Sequence, residues 1–212
     1  MAAGARRIEK MQRLLSTRQI LEQAAQCPLP AWERVAAHSQ LLHLEKAEQV
    51  FAAGVWHPYV YVVRQGVVKL SYLNEQGQEW IKSFVGSGEL FACPRVLIEQ
   101  QTTDYFASCL TACEIEQFPY AVLQECTEHY PEWQKAVRGL LQNHLIKKDQ
   151  RERELLTMTA EQRYLAFVQQ HPDLVSQIQL RDLAQYLGIT PEALSRIRKR
   201  VLHNQSVTTR FS

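Results

Sequence analysis

A stretch of 33 residues with strand-like composition constrains the fold of this chain more than any other feature. From Tyr59 to Phe91 it runs YVYVVRQGVVKLSYLNEQGQEWIKSFVGSGELF, rich in valine and aromatic residues. Turns are marked by Gly66, by the segment 74–77, and by Gly86 and Gly88. Such segments separated by glycine turns are typical of β-strands. With the similar stretch TTDYFASCLTACEIEQF that follows, they predict a compact antiparallel β-unit over residues 45–118, either a jelly roll or a barrel.

Helical patterns surround this β-unit on both sides. Before it, apolar residues at helical spacing predict a helix over residues 5–26 and a shorter one over residues 31–42. After Pro119 the pattern is helical again, and residues 159–201 are predicted to hold three helices. Thr159 and Gln162 predict a capping box at the start of the first of them. We therefore predict an α+β chain with three parts: N-terminal helices and the β-unit (1–130), a long helix (131–157) and a C-terminal all-helical domain (158–212).

Composition indicates a globular protein whose basic ends are candidate sites for a polyanion, although charge alone favours the alternative, a solvated face without a partner. The 212 residues are 46% apolar with net charge +2, but Met1–Glu22 carries +3 and Thr190–Ser212 carries +4. No run approaches the roughly 20 apolar residues that span a bilayer, and the first residues do not resemble a secretory signal. A cytoplasmic location is expected.

Five cysteines, an odd number, are scattered through the chain, which does not suggest a disulfide framework. Cys109 and Cys113 lie four residues apart in a segment predicted to be extended. Four strand residues span about 13 Å, too far for two ligands of one metal unless the strand bends. Buried or idle thiols are the favoured interpretation, and a redox or metal role is the alternative.

A helix of about 25 residues begins at Pro131, which suits a first helical turn. Trp133, Val137, Leu140 and His144 line one stripe of it, which Leu141 and Leu145 widen. One apolar seam with charged flanks favours a helix that pairs with a copy of itself, with those four residues at the dimer interface. The alternative is a helix packed only on its own β-unit.

The segment IQLRDLAQYLGITPEALSRIRKR, residues 178–200, has the pattern of two helices joined by a tight turn. Gly188 is the left-handed residue expected after the first helix. Thr190 and Pro191 suit the cap and the first turn of the second helix. A helix-turn-helix needs a turn of this kind.

The second of these helices has one apolar side and one polar side. At 100° per residue, Leu194, Ile197 and Val201 face the domain core. The opposite face carries residues that can contact DNA: arginine pairs with guanine, and glutamate accepts from cytosine. The candidate DNA-binding residues are Thr190, Glu192, Ser195, Arg196 and Lys199. A solvated basic face without a partner is the alternative.

The segment LAQYLGITPEALSRIRK resembles the helix-turn-helix of the Crp/Fnr superfamily of bacterial transcription regulators. There the second helix carries a glutamate, two residues, a serine or glycine, and an arginine, which Glu192, Ser195 and Arg196 match. YVVRQGVVKL, NEQGQE and GSGELF resemble the family's cyclic-nucleotide-binding β-roll, and residues 120–157 resemble its dimerisation helix. The resemblance implies a homodimer on near-palindromic double-stranded DNA, in contact with RNA polymerase.

The ligand site departs from the family pattern. In cyclic-nucleotide binders a Gly-Glu pair is followed by an arginine segment that meets the cyclic phosphate. Gly88, Glu89 and Leu90 are present here, but Thr103 and Asp104 stand where the arginine and the residue after it belong. A phosphate facing Asp104 with no arginine nearby is unfavourable. We expect no tight cyclic AMP binding, and either another ligand or none, with Glu89 bracing the roll.

Other family cofactors have little support. Cys27 stands alone in its region, so the cysteine-held iron–sulfur cluster of the Fnr branch is not expected. Haem held by His38, His43 or His57 is a minor alternative, and we predict no cofactor and no metal. The segment NQSVTTRFS leaves an absent or vestigial wing after the helix-turn-helix, where Arg210 and the basic N-terminal segment are candidates for compensating phosphate contacts.

Together these features predict a homodimeric DNA-binding regulator. The alternative is a sensor or protein-interaction module whose helix-turn-helix no longer binds DNA. No nucleophile–base pair, metal spacing or phosphate loop supports an enzyme.

Overall fold

The computed structural model describes the backbone of residues 15–208 and the side chains of residues 15–202. Its contacts divide the chain into two units. The first comprises the chain up to Leu70 together with Phe84–Asn143, and the second comprises Ser71–Ser83 together with the chain from His144 onward. The predicted helical residues 5–14 lie outside the described residues. No helix among those described is long and apolar enough to cross a membrane.

Among the described residues, two short helices precede the β-unit. Helix α1 spans Thr17–Ala25 and starts at Ser16, whose hydroxyl accepts from the Gln19 amide while the Gln19 side chain accepts from the Ser16 amide. This capping box fixes the first turn of the helix. Helix α2 covers Trp32–His38. The predicted helix 31–42 is therefore too long, because its last residues pair with a neighbouring strand as Gln40–Leu44.

The β-unit contains eight strands in two four-stranded sheets. One sheet has the order β1-β8-β3-β6 and the other the order β2-β7-β4-β5. A short helix, α3 (Pro94–Leu97), connects β6 to the segment before β7. The unit spans residues 40–119, slightly more than predicted, and the pairings in the first sheet are antiparallel as expected. The strands are β1 Gln40–Leu44, β2 Gln49–Phe51, β3 Tyr59–Gln65, β4 Val67–Leu73, β5 Glu79–Gly86, β6 Leu90–Phe91, β7 Phe106–Cys109 and β8 Cys113–Pro119.

The core of the first unit lies between the first sheet and the helices that flank the β-unit. Helix α4 (Tyr120–His129) and helix α5 (Pro131–Thr157) follow the last strand. Alternate residues of β3, Val60 and Val62, are buried with Phe118 of β8 in a cluster that also takes Leu21 and Trp133 from the helices. Burial of this apolar surface fixes the N-terminal half of α5 on its own β-unit.

The second unit contains a helical domain. Its helices are α6 Ala160–Gln170, α7 Pro172–Val175, α8 Leu180–Tyr186 and α9 Pro191–Thr208. Four helices follow residue 158 instead of the predicted three, because Pro172 begins an additional turn. The capping box predicted at Thr159 and Gln162 is present. The α+β architecture is confirmed. Helix α9 continues to Thr208, through the segment where an absent or vestigial wing was expected. Arg210 lies outside the described residues.

Candidate nucleic-acid interface

Helices α8 and α9 are joined by the tight turn that the sequence predicted. Gly188 has φ +68°, a left-handed conformation that favours glycine. The amide of Gly188 donates to Gln185 O at 3.1 Å, and that of Ile189 donates to Ala184 O at 3.0 Å. Thr190 then caps α9 by accepting from the Ala193 amide at 3.2 Å. These bonds satisfy the backbone at both helix ends and fix the direction of α9.

One side of α9 is buried as predicted. Leu194 is fully buried and Ile197 nearly so, together with Leu183, Ala184 and Leu187 of the preceding helix and turn. Burial of this side turns the polar residues of α9 outward. On the same helical wheel Arg198 lies 40° from Leu194, toward the core side, yet its side chain is exposed.

The predicted contact residues lie on the exposed side at the start of α9. Leu180, Pro191, Glu192, Ser195 and Arg196 line one shallow depression of the surface. Glu192 and Arg196 are exposed, whereas Ser195 is half-buried. Thr190 and Lys199 are exposed just outside this depression. We call the surface formed by Glu192, Ser195 and Arg196 the polar face of α9.

The electrostatics of this face favour an ionised glutamate. The pKa of Glu192 lies below its usual value, first because its carboxylate accepts from its own backbone N–H and then because the Thr190 hydroxyl donates to it. The positive charge of Arg196 adds to the effect. A free helix N-terminus also favours negative charge. At neutral pH the face therefore presents an anionic acceptor beside a cationic donor.

Two arginines from other helices bond the carbonyls at the end of α8, and neither was among the residues predicted from the sequence. Arg151 of α5 donates from Nη2 to Tyr186 O at 2.9 Å, and its guanidinium lies 3.7 Å from the centre of the Tyr186 ring. Arg163 of α6 donates to Leu187 O at 3.1 Å and to Met158 O at 2.7 Å. Arginine side chains can bond the free carbonyls at the end of a helix. Because Arg151 and Arg163 lie on other helices, their spacing along the chain does not predict these bonds.

The seam predicted on α5 faces mainly the chain's own core. Trp133 is fully buried, donates from Nε1 to Pro30 O at 2.8 Å and stacks on Trp32. Its assignment to a dimer interface is wrong, because no surface of it is left for a partner. Val137 and Leu140 are partly buried against the same cluster, while His144 is exposed.

A different stripe of α5 exposes apolar side chains. Leu141 and Leu145, which the sequence treated as the margin of the seam, are 62% and 69% exposed. The stripe continues after Lys148 and Glu152 with Leu155 and Leu156. Leu141 and Leu145 lie one helical turn apart, and Leu155 and Leu156 follow on the same side beyond two charged positions. Exposed apolar side chains on one side of a helix are typical of a helix that pairs with another. We call Leu141, Leu145, Leu155 and Leu156 the outer stripe.

In the β-roll, Gly88 and Glu89 form part of a turn that Glu89 itself closes. The Gly86 amide donates to the Glu89 carboxylate at 2.8 Å, and the Gly88 amide donates to Val63 O at 2.8 Å. This geometry agrees with the bracing role considered for Glu89. Leu90, assigned to the ligand pocket, is half-buried against the core cluster of the first unit.

The other predicted pocket residues are occupied by contacts within the roll. Thr103 is buried, and its hydroxyl bonds the backbone of Tyr105. Asp104 is exposed, and the expectation that no arginine lies nearby is wrong, because Arg95 Nη1 lies 3.4 Å from its carboxylate. Arg95 also pairs with Glu99 at 3.5 Å. Two carboxylates therefore surround the one guanidinium, which leaves this corner a poor site for a phosphate.

Aromatic side chains fill the interior next to this segment. Tyr105 is fully buried and donates its hydroxyl to Ala92 O at 3.0 Å. Its ring lies edge-on to Phe51, and Phe51 stacks on His57 with 3.8 Å between ring centres. Packed aromatic rings stabilise the roll through burial and ring contacts. Among the described residues, no cluster of three or more His, Cys, Asp or Glu side chains could hold a metal ion.

Comparison with known proteins matches the β-roll to one family and the chain to proteins named as regulators. A family model described as a cyclic nucleotide-binding domain matches residues 41–130. The fumarate and nitrate reduction regulatory protein of Vibrio cholerae is 28% identical over 166 residues, covering 73% of this chain and 65% of the relative. The electron transport regulator A of Shewanella oneidensis is 25% identical with the same coverage. The chain thus spans slightly less than two thirds of these relatives, whose names are those of regulators and not of enzymes.

Solved structures share the fold. FixK2 from Bradyrhizobium japonicum superposes with a TM-score of 0.68 at 20% identity, covering 79% of this chain and 86% of that one. A transcriptional regulator of the CRP/FNR family from Thermus thermophilus gives a TM-score of 0.63 at 20% identity, covering 78% and 87%. Residues 41–130 thus match a cyclic nucleotide-binding domain, and the chain is similar to regulatory proteins and shares the fold of these solved structures.

Proposed function

We propose that this protein is a sequence-specific DNA-binding transcription regulator that acts as a homodimer. The observation that carries the proposal is the polar face of α9: Glu192, Ser195 and Arg196 line one exposed depression at the start of a helix whose other side is buried. Recognition helices present their first turns to base edges in the major groove. The names of the relatives as regulatory proteins support the same conclusion.

The polar face suits a G·C base pair. Arg196 can donate two hydrogen bonds to guanine, and the ionised Glu192 can accept from the amino group of cytosine. Ser195 lies at the edge of this face, half-buried, and can bond either a base or a phosphate. Thr190 and Lys199, at the margin, are placed to contact phosphates. Pro191 has no backbone N–H to donate and no polar side chain, so few direct base contacts are expected.

The homodimer is proposed to form along the outer stripe of α5. Leu141, Leu145 and Leu156 are each more than 60% exposed in the single chain. Pairing with a second copy would bury them, while Lys148 and Glu152 within the stripe would restrict the register. In such a dimer the two recognition helices are expected to contact half-sites about one DNA turn apart.

The β-roll is proposed to act as a sensor or scaffold that does not respond to cyclic AMP. The corner around Asp104 holds two carboxylates on Arg95, and Tyr105 fills the adjacent interior. Both features disfavour a cyclic phosphate. A regulator of this kind acts where bacterial DNA lies, so a cytoplasmic location and contact with RNA polymerase are parts of the proposal.

The first test is selection of bound duplexes from a random DNA pool by the purified full chain at a stated moderate salt concentration. An enriched inverted repeat is expected, because a dimer contacts two half-sites. Binding without enrichment would contradict specific recognition under those conditions, and the selection would be repeated with cell metabolites. No binding even at low salt would favour the sensor or protein-interaction alternative, because phosphate contacts strengthen as salt falls.

The second test replaces Arg196 with alanine and uses Arg198→Ala as a matched control. Both arginines are exposed on α9, but they lie about 160° apart around the helix. Loss of Arg196 is expected to weaken operator binding by about 1–3 kcal/mol, roughly 5- to 150-fold, and to relax specificity at one base pair. Equal effects of both variants, or unchanged specificity in Arg196→Ala, would refute the assignment.

A further inference from the structure

The last turns of α5 contact α6 and α8 around a cavity of about 10 Å³. Charged and aromatic side chains from all three helices line it, among them Arg151, Phe167 and Tyr186. A volume of this size has room for about one water molecule, so the three helices are closely packed here. No residue of the polar face of α9 takes part in the lining.

Arg151 makes two different contacts with the last residue of α8. Its Nη2 donates to Tyr186 O at 2.9 Å, and its guanidinium lies 3.7 Å from the centre of the Tyr186 ring. The same ring meets Phe167 of α6 edge-on, with 5.4 Å between ring centres. A charged hydrogen bond and a cation over an aromatic ring each stabilise the groups that they join. Arg151 therefore fixes both the backbone and the side chain of Tyr186.

The carbonyl groups bound by arginine lie directly before the turn into α9. The last carbonyls of a helix have no partner within that helix. Here Tyr186 O accepts from Arg151, and Leu187 O accepts from Arg163 Nε at 3.1 Å. The next residue, Gly188, has φ +68° and leads into α9. A charged donor on each of the two carbonyls therefore fixes the position from which α9 starts.

Further hydrogen bonds fix α6 against the same turns of α5. Glu154 accepts from Gln150 Nε2 at 2.9 Å within α5 and from Gln170 Nε2 at 3.2 Å at the end of α6. Arg163 Nη1 donates to Met158 O at 2.7 Å, in the short segment that joins α5 to α6. Helix α8 is thus bound to α5 directly and also through α6.

We propose that Arg151 is a positioning residue for DNA recognition, which fixes the polar face of α9 in its binding orientation before DNA is bound. The inference rests on the proposed function and assigns a role in it to a residue of the long helix. Arg151 is half-buried, and its contacts with Tyr186 let it act through α8. A binding surface that is fixed in advance loses less conformational freedom when its partner binds.

The first experiment measures hydrogen exchange by mass spectrometry in the full chain without DNA. Arg151→Ala is compared with Arg153→Ala, because Arg153 is exposed on the same helix and undergoes the same chemical change. Exchange in residues 180–190 is expected to be on the order of tenfold faster in Arg151→Ala, since a charged hydrogen bond and a ring contact are lost. Exchange in α1 should be the same in both variants. Equal exchange of residues 180–190 in the two variants would overturn the proposal.

The second experiment measures binding to a DNA duplex selected with the unmodified chain, over a range of salt concentrations. Arg151→Ala is expected to bind on the order of tenfold more weakly than the unmodified chain, and Arg153→Ala nearly as tightly as it. The preference at the base pair assigned to Arg196 should be retained in Arg151→Ala. Equal affinities of the two variants would contradict the positioning role.

The salt dependence separates positioning from a direct contact with DNA. A positioning residue neutralises no phosphate, so the slope of log affinity against log salt in Arg151→Ala should match that of the unmodified chain. A slope smaller by about 1 would indicate a phosphate contact and would refute the positioning role. An unmodified chain that binds no DNA at any salt concentration would instead refute the proposed function, while the exchange experiment still decides whether Arg151 fixes α8.

Discussion

Replacing Gly139 with alanine sets two opposite effects against each other within α5. In a helix interior glycine is less favourable than alanine by about 1 kcal/mol, so the helix alone predicts stabilisation. Packing predicts the reverse. A β-carbon at this position would lie 2.4 Å from Ala24 O and 3.2 Å from Ala24 C. These are backbone atoms of α1 that cannot rotate away, so the two helices would have to separate.

The size of the effect follows from that distance. Ordinary contact begins at 3.4 Å, so α1 would have to withdraw by about 1.0 Å. Leu21 of α1 and Trp133 of α5 are buried in the cluster that this movement would loosen. Overpacking of this kind costs about 1–3 kcal/mol. After the helix-propensity gain of about 1 kcal/mol is subtracted, the expected net loss is about 1 kcal/mol, with an upper limit of about 2 kcal/mol.

The assay is urea unfolding of the full chain at fixed protein concentration, monitored by circular dichroism. Asn143→Ala is the matched control, because Asn143 is exposed on the same helix and meets only the propensity effect. It is expected to raise the free energy of unfolding by about 0.5 kcal/mol. If Gly139→Ala stabilises the protein as Asn143→Ala does, the close contact between α1 and α5 is refuted.

Three further predictions concern stability. Trp133→Ala should lower the free energy of unfolding by about 3–5 kcal/mol, whereas Leu145→Ala should leave the single chain nearly unchanged and weaken self-association in sedimentation experiments. Thr159→Ala should cost about 1 kcal/mol in urea unfolding through loss of the α6 cap. Burial lowers the pKa of His57, so its contribution to the free energy of unfolding should be complete above about pH 6.5 and decrease as the pH falls. His57→Gln should flatten this pH dependence between about pH 7.5 and 5.5. An unchanged slope in the variant would contradict the prediction.

Local sequence rules predicted the features that depend on neighbouring residues. The left-handed turn at Gly188 and the cap at Thr159 were both found where spacing and residue type placed them. The buried side of α9 followed from the periodicity of Leu194 and Ile197. These features are determined by backbone bonds and burial within a few residues, so the printed sequence contains the necessary information.

Features that depend on distant residues could not be predicted in this way. Trp133 and Leu141 both looked suitable for a pairing seam, and only the position of α1 and α2 decides that Trp133 is covered and Leu141 is not. Arg95 reaches Asp104 because α3 turns it toward that segment. Spacing along the chain does not specify which of these residues come into contact.

The arginine contacts behind the helix-turn-helix carry a consequence for operator spacing. Arg151 of α5 donates to Tyr186 O, and Arg163 of α6 donates to Leu187 O. Rotation of the last turns of α5 would therefore either move α8 and the start of α9 or break charged hydrogen bonds. In the proposed homodimer, the distance between recognition helices would therefore be set by the helix pair and not by loose linkers. One inserted base pair displaces a half-site by about 3.4 Å and turns it by about 35°. Such a dimer should tolerate changes in half-site sequence better than changes in half-site separation.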